Sequence, residues 1–494
     1  MNYIGISCGF HDAALSVVDD FGNILFAGHS ERYSLIKNDP KLSSQLVTNA
    51  LQYINDEYSL HFYENPYMKV LRQIRTGEKI VWQNLLDRNL IGSNNYNLLK
   101  RKSLEKYNHH LSHAAAGFQT SSFNDATVVI VDAIGEFDTI TIWNATYDSN
   151  GYAQYKKLYS NLYPNSLGLF YSAMTQKVGL KPMDEEYILM GMSAYGKPLY
   201  VEQILNEFVF DIDDCKFKEN LHVGNLDNFL ANADFMDIAN SSQIVLELLL
   251  KKILEKAQKI GKSSNLVYGG GVALNCLANR LLGNYFDKIW IMPNPGDAGS
   301  SLGAACLGFG KKVNFKNAFL GYDIAGEYPV SLLTTSLIND KIVGVASGKA
   351  EFGPRALGNR SLLADPRGPD IKDRVNEIKR RQKFRPFAPV ILEEMANQYF
   401  NFDRGWQNSP YMQTIATCKY PEQFPAICHV DGTSRVQTVS QDNTGIRKLL
   451  ENWYEKTGCP MLLNTSLNVR GEPMVNTRDD ADRFQSAYNI KVYS

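Results

Sequence analysis

One pattern occurs twice in this chain and limits what it can fold into. An apolar run from Tyr3 to Cys8 ends in Gly9-Phe-His-Asp12, continues as Ala13 to Val18, turns at Asp19-Asp-Phe-Gly-Asn23 and returns as Ile24 to Gly28. Much later Ala126 to Val131 ends in Asp132, and Ile140 to Tyr147 leads into the turn Asp148-Ser-Asn-Gly151. Runs of this length bounded by Asp, Asn and Gly predict strands, with a hairpin at each turn. A strand ending in polar residues and followed by a hairpin, used twice, predicts a duplicated α/β domain.

Such a duplication fits the actin-like architecture of sugar kinases and heat-shock ATPases, in which two related halves clamp a nucleotide. Residues 38–107 carry helix-like spacing, as in Leu42, Leu46, Ala50 and Leu51, and read as a mostly helical insert. Ser242 to Ile260 is the strongest predicted helix and delivers the strand Leu266-Val-Tyr268 into Gly269-Gly-Gly271. Gly321 to Pro329 reads as a linker, and a second α/β unit opens with Ile342-Val-Gly-Val-Ala346. The expected domains are therefore 1–325 and 326–494. A chain of 494 residues is too long for one core and ample for two.

Composition removes several function classes. With 51 basic and 52 acidic side chains there is no electrostatic footprint for nucleic acid or an anionic membrane. No apolar run approaches the roughly 20 residues that span a bilayer. Met1-Asn-Tyr-Ile-Gly-Ile-Ser7 has no basic head or cleavage site, so a cytoplasmic location is expected. The 7 cysteines (8, 215, 276, 306, 418, 428 and 459) form no Cys-x-x-Cys pair and are odd in number, which predicts reduced thiols.

Two polar constellations carry the chemistry. His109 and His113, four apart, fall on one helix face, and Asp132 ends a buried strand while Asp297 lies in the turn Pro293-Asn-Pro-Gly-Asp-Ala-Gly299. A lone His-x-x-x-His is weak and often just a polar face. Joined by two carboxylates it suits iron, manganese or zinc, with iron the expected ion. His110 points elsewhere. Gly269, Gly270, Gly271 and Asn275 follow a strand and are read as entering a helix, where backbone N–H groups would meet a nucleotide phosphate; a tight turn is the plainer alternative. His11 stands where such a half has its phosphate loop, as a candidate base or a packing histidine.

The last third carries Glu351-Phe-Gly-Pro-Arg-Ala-Leu-Gly-Asn-Arg360 and a helix capped by Asp370, with Ile371, Val375 and Ile378 as its apolar face. That helix ends in Lys379-Arg-Arg-Gln-Lys383, of which Arg380 and Arg381 are expected to be solvated. Arg385, enclosed by Phe384, Pro386 and Phe387, should have an anionic partner. Arg435 in the alternating His429–Gln437 run and Asn464 in Pro460–Asn468 add polar groups suited to a phosphate ester or mixed anhydride. A metal-type site and an anion-type site in one chain point to an enzyme that moves a small acyl group.

In this order the segments 9–12, 109–113, Asp132, 269–275, 296–299, 352–367, 385–389, 429–437 and 464–468 resemble the O-carbamoyltransferase family. That family includes nodulation protein U and the cephalosporin and tobramycin carbamoyltransferases. The resemblance runs nearly end to end. It implies an N-terminal domain like the threonylcarbamoyl-tRNA metalloprotein and a C-terminal domain of the YrdC type. It implies that carbamoyl phosphate and ATP, with Mg2+, give carbamoyl adenylate in the C-terminal domain. A hydroxyl of a sugar-containing small molecule then takes the carbamoyl group in the N-terminal domain. By the same resemblance Lys379, Arg385, Arg435 and Asn464 serve the adenylate site with Arg355 as a phosphate contact, and His109, His113, Asp132 and Asp297 hold the metal with His11 as base.

Ile188 stands where members of the family often have a lysine before Met-Gly, and the chain after Asp482 is short. The rival readings are an actin-like nucleotide sensor without catalysis, carbamoyl transfer to a protein thiol, and a sugar kinase. The thiol reading is disfavoured by the missing Cys-x-x-Cys modules. The acceptor, the metal and the oligomeric state, a homodimer included, stay open.

Overall fold

The computed structural model describes residues 1–494 except 223–225, 227 and 444. The chain is mixed α/β and divides into two compact units, one of residues 1–30 and 38–316, the other of 31–37 and 317–494.

The first unit holds two five-stranded sheets of the same design. The first runs in the order Ile24–His29, Ala14–Asp19, Asn2–Ser7, Tyr58–Phe62, Leu104–Lys106, and the second in the order Ala153–Leu162, Asp138–Tyr147, Asp125–Gly135, Asn265–Gly269, Lys288–Trp290. In each, three antiparallel strands are followed by two parallel ones. The hairpin turns share their chemistry. Asp19 Oδ1 accepts from the N–H groups of Phe21 and Asn23, and Asp148 Oδ1 from those of Asn150 and Tyr152. The spacing around Leu46 forms the helix Ser44–Ala50 as expected. Residues 38–107 nevertheless also supply Tyr58–Phe62 and Leu104–Lys106, two strands of the first sheet, which the reading as a helical insert missed. The long helix starts earlier than predicted, at Phe235, where Asp234 accepts from the N–H groups of Met236 and Asp237 and so caps it.

Two helices lie close to the first sheet. Ser300–Phe309 approaches the strand Asn2–Ser7 at Gly5, where a Cβ would fall 1.8 Å from Ser301 O. It meets the helix His109–Phe118 at Gly303, where a Cβ would fall 1.8 Å from Ser112 O.

The second unit is built on a six-stranded sheet in the order Gln437–Val439, Ala388–Leu392, Met461–Ser466, Arg360–Ala364, Ile342–Ala346, Val492–Tyr493. Its strands supply a largely apolar interior, in which Val343, Val345, Leu362, Leu363, Val390, Ile391, Leu462 and Leu463 join Trp453 in one core. The expected linker at Gly321–Pro329 is displaced by a strand, Phe319–Ile324, which pairs antiparallel with Gly348–Glu351. The excursion Glu31–Lys37 belongs to this unit, and Arg32 donates to the main-chain oxygens of Glu351 and Gly353.

Candidate functional site

His109, His113, Asp132 and Asp297 converge, each offering one ligand-type atom, and the four atoms lie within 4.8 Å of one another. The helix His109–Phe118 starts at Asn108, whose side chain accepts from Leu111 N, and its spacing turns both imidazoles inward. Asp132 arrives on the buried strand Asp125–Gly135 and Asp297 on the short turn before Ser300–Phe309. His109 Nε2 lies 3.1 Å from Asp132 Oδ2 and 3.3 Å from Asp297 Oδ1; His113 Nε2 lies 3.6 and 3.4 Å from the same atoms. The two Nε2 atoms are 3.0 Å apart. Ligands about 2.1 Å from a common centre stand about 3.0 to 3.4 Å from one another, so this donor set fits a metal ion. His110 does point away, its Nδ1 bonding Thr141 Oγ1 at 2.9 Å.

Charge supports the same fit. Burial opposes charge on all four groups, but mutual contact wins: His109 is held well above the usual imidazole range and Asp132 well below that of a carboxylate. The two carboxylates thus draw positive charge into the cluster, and a divalent cation held by neutral imidazoles would supply it.

His11 adjoins this cluster, with Nε2 3.8 Å from Asp297 Oδ2 and Nδ1 3.0 Å from Asp12 Oδ2. Burial lowers its affinity for a proton, yet Asp297 and Asp12 outweigh this and raise the pKa to about 9.

The glycine triplet serves the cluster in a way the sequence did not suggest. Gly271 N–H donates to Asp132 Oδ1 at 2.9 Å and Gly270 N–H to Pro295 O at 3.0 Å, tying the strand end to the Asp297 turn. Gly270 has φ +88°, and a Cβ there would meet Val131 O at 2.3 Å. The strand Asn265–Gly269 leads into a 3-10 turn, Gly271–Leu274, and not directly into a helix. Asn275 caps the short turn Cys276–Asn279 and pairs with Gln243, so its side chain is already engaged.

In the second unit the candidates fall into two groups. Lys379 Nζ donates to Ser466 O, to Ser466 Oγ and to Asn468 Oδ1. Burial, then the charges of Arg381 and Arg385, hold its pKa well below the usual lysine range. Asn464 Nδ2 donates to Ala356 O and to Gln437 Oε1 (3.0 and 2.7 Å), while its Oδ1 is buried without a hydrogen-bond partner. Arg435 is half-buried and its Nε has no hydrogen-bond partner. Arg355 lies half-buried in a loop that Glu351 organises, its Oε1 accepting from the N–H groups of Leu357, Asn359 and Arg360.

Arg360 is fully buried and binds the main-chain oxygens of Tyr322, Ser347, Gly348, Asn359 and Asn476, so it is a structural cation. Two expectations need correction here. Arg381 is half-buried and not freely solvated: it bonds Asn376 Oδ1 and Pro386 O and covers the Phe387 ring at 4.0 Å. The Asp370 side chain makes no capping bond. Sequence reasoning also missed Glu64 and Glu136 beside His109, and Ser466 and Asn468 beside Lys379. The last two lay within a polar strand end already noted, but the two glutamates had no spacing signal.

Residues 2–306 match the family described as carbamoyltransferase N-terminus and residues 334–493 that described as carbamoyltransferase C-terminus. The chain belongs to the carbamoyltransferase family. This carbamoyltransferase is 32% identical to the Synechocystis protein sll1178 over 97% of its own length and 93% of that protein's. It is 29% identical to nodulation protein U of Sinorhizobium fredii over 94% of each chain. Among solved structures, the activator of 2-hydroxyisocaproyl-CoA dehydratase from Clostridium difficile aligns with 63% of this chain and 94% of its own, at 13% identity and a TM-score of 0.35. No helix among the described residues is long and apolar enough to cross a membrane.

Proposed function

We propose that this carbamoyltransferase uses ATP and carbamoyl phosphate to carbamoylate a hydroxyl of a sugar-containing small molecule. Water splits carbamoyl phosphate into carbamate and phosphate. Carbamate oxygen then attacks the α-phosphorus of ATP, releasing pyrophosphate and leaving carbamoyl adenylate. The acceptor hydroxyl attacks the carbamoyl carbon, its proton is removed, and AMP departs. The activating steps belong to a YrdC-like second unit, with Lys379, Arg385, Arg435, Asn464 and Arg355 around the phosphates. The transfer belongs to an actin-like first unit.

The observation that carries the reading is the convergence of His109, His113, Asp132 and Asp297 within the segment that matches the carbamoyltransferase N-terminus. These four residues would hold a divalent ion, whose chemistry is to stabilise negative charge on a phosphate. Lys379, whose hold on its proton is weakened by burial and by its arginine neighbours, would hold that proton more firmly with an anion bound beside it. Asn464 Oδ1, buried and unpaired, can accept from the carbamoyl amide.

The test is exchange of labelled pyrophosphate into ATP, expected only with carbamoyl phosphate present, together with AMP release that requires the acceptor. Arg435→Ala should abolish exchange, and Asp297→Ala should retain exchange and lose transfer. Full transfer by both variants would refute the assignment; ADP in place of AMP would indicate a kinase.

A further inference from the structure

Around the histidine cluster one atom is conspicuous. His109 Nδ1 is buried and has no hydrogen-bond partner, although the ring's Nε2 faces both aspartates. An imidazole that gives its Nε2 lone pair to a metal must carry its proton on Nδ1, and a buried N–H without an acceptor is costly. Glu64 Oε2 lies 4.0 Å from that nitrogen, beyond a hydrogen bond, and Glu64 is 4% exposed. The other oxygen, Oε1, is gripped by Lys69 Nζ at 2.8 Å, and Lys69 in turn lies 5.5 Å from the centre of the Phe10 ring. The far end of Glu64 is therefore fixed while the oxygen nearer His109 can turn toward it.

Glu136 fixes the other partner. Its Oε1 accepts from Asn65 N–H at 2.7 Å, its Oε2 from Asn108 Nδ2 at 2.9 Å, and both oxygens lie 3.1 Å from His109 N. It joins the residue after Glu64 to the start of the histidine helix, at a strained φ of +40° that the surrounding bonds must hold. Both carboxylates thus act on one imidazole, Glu136 through its main chain and Glu64 toward its ring.

We propose that Glu64 is the positioning residue of the metal site: it accepts the Nδ1 proton of His109 when Nε2 ligates the ion, with Lys69 aiming it. Metal-bound imidazoles as a rule donate their second N–H to such an acceptor, which fixes ring orientation and raises ligand basicity. The inference rests on the metal-site reading above.

Cobalt(II) is a suitable probe, because its visible spectrum reports the ligand field without turnover. The full-length protein is stripped with chelator, titrated with Co(II) alone, and its affinity measured by chelator competition. Wild type should bind one ion per chain. Glu64→Gln should bind it about 10- to 100-fold more weakly with an altered spectrum, and Lys69→Met should fall between the two. Glu64→Asp, shorter but still anionic, should recover part of the loss. The thermal midpoints of the metal-free proteins should agree, which separates positioning from a folding defect. Unchanged affinity and spectrum in Glu64→Gln would overturn the proposal while leaving the metal site intact. A wild type that binds no cobalt would overturn both.

Discussion

Replacing Gly303 with alanine tests how backbone packing holds the metal ligands. An added Cβ would lie 1.8 Å from Ser112 O, 2.7 Å from Ser112 C and 3.1 Å from Ala116 N, all main-chain atoms that no rotamer change can move. The two helices must separate by more than about 1 Å to restore a normal contact. Ser112 lies between His109 and His113, and Asp297 lies just ahead of the helix that carries Gly303. The separation therefore falls directly on the 3.3 and 3.4 Å distances from Asp297 to the two imidazoles. Overpacking of this kind costs about 1–3 kcal/mol, or roughly 1.5 to 5 °C in thermal midpoint for a unit of this size. Gly191→Ala is the control. A Cβ there meets nothing within 4 Å in the helix Glu186–Met192, so it should be neutral or gain up to about 1 kcal/mol. Calorimetry gives the midpoints and elemental analysis the metal content. If Gly303→Ala matched wild type within 1 °C, a margin set by the roughly 1.5 °C minimum expected, and bound metal equally well, the helices could yield without cost and the reasoning would be wrong.

Asp132→Asn and His113→Ala should each purify without the metal proposed for the wild type; stoichiometric metal in either would place the ion elsewhere. His61 offers a pH test. Burial lowers its pKa to about 4 in the fold, so the unfolded chain binds more protons between about 4 and 6.5. His61 should contribute up to about 3 kcal/mol that is complete above pH 6.5 and lost toward pH 4, so in urea titrations across that window His61→Gln should fall by that much less than wild type, His110 still supplying its own share. Ile188 is 1% exposed, and Ile188→Lys should cost about 3 kcal/mol or more, seen as a lower urea midpoint; an unchanged midpoint would mean that a partner for the ammonium exists.

The duplicated hairpins were legible because their information is local: alternating apolar runs and an Asp–Gly turn specify a hairpin wherever it lies. Tyr58–Phe62 and Leu104–Lys106 were not, since short strands flanked by helical spacing become strands only when a sheet edge is there to receive them. His109, His113, Asp132 and Asp297 could be proposed from their positions at element ends. Glu64 and Glu136 could not, because their meaning lies in distances to His109 across three separate segments. The basic run misled at Arg381 for a related reason: a guanidinium reads as solvated until the Phe387 ring and Pro386 carbonyl are seen to enclose it.

Because residues 31–37 leave the first unit and return to it, the two units cannot be separated by cutting a single peptide bond. A fragment comprising only 317–494 would lack Arg32, and the carbonyls of Glu351 and Gly353 that it binds would be left without that guanidinium. Attempts to express the second unit alone should therefore supply this heptapeptide, tethered or in trans.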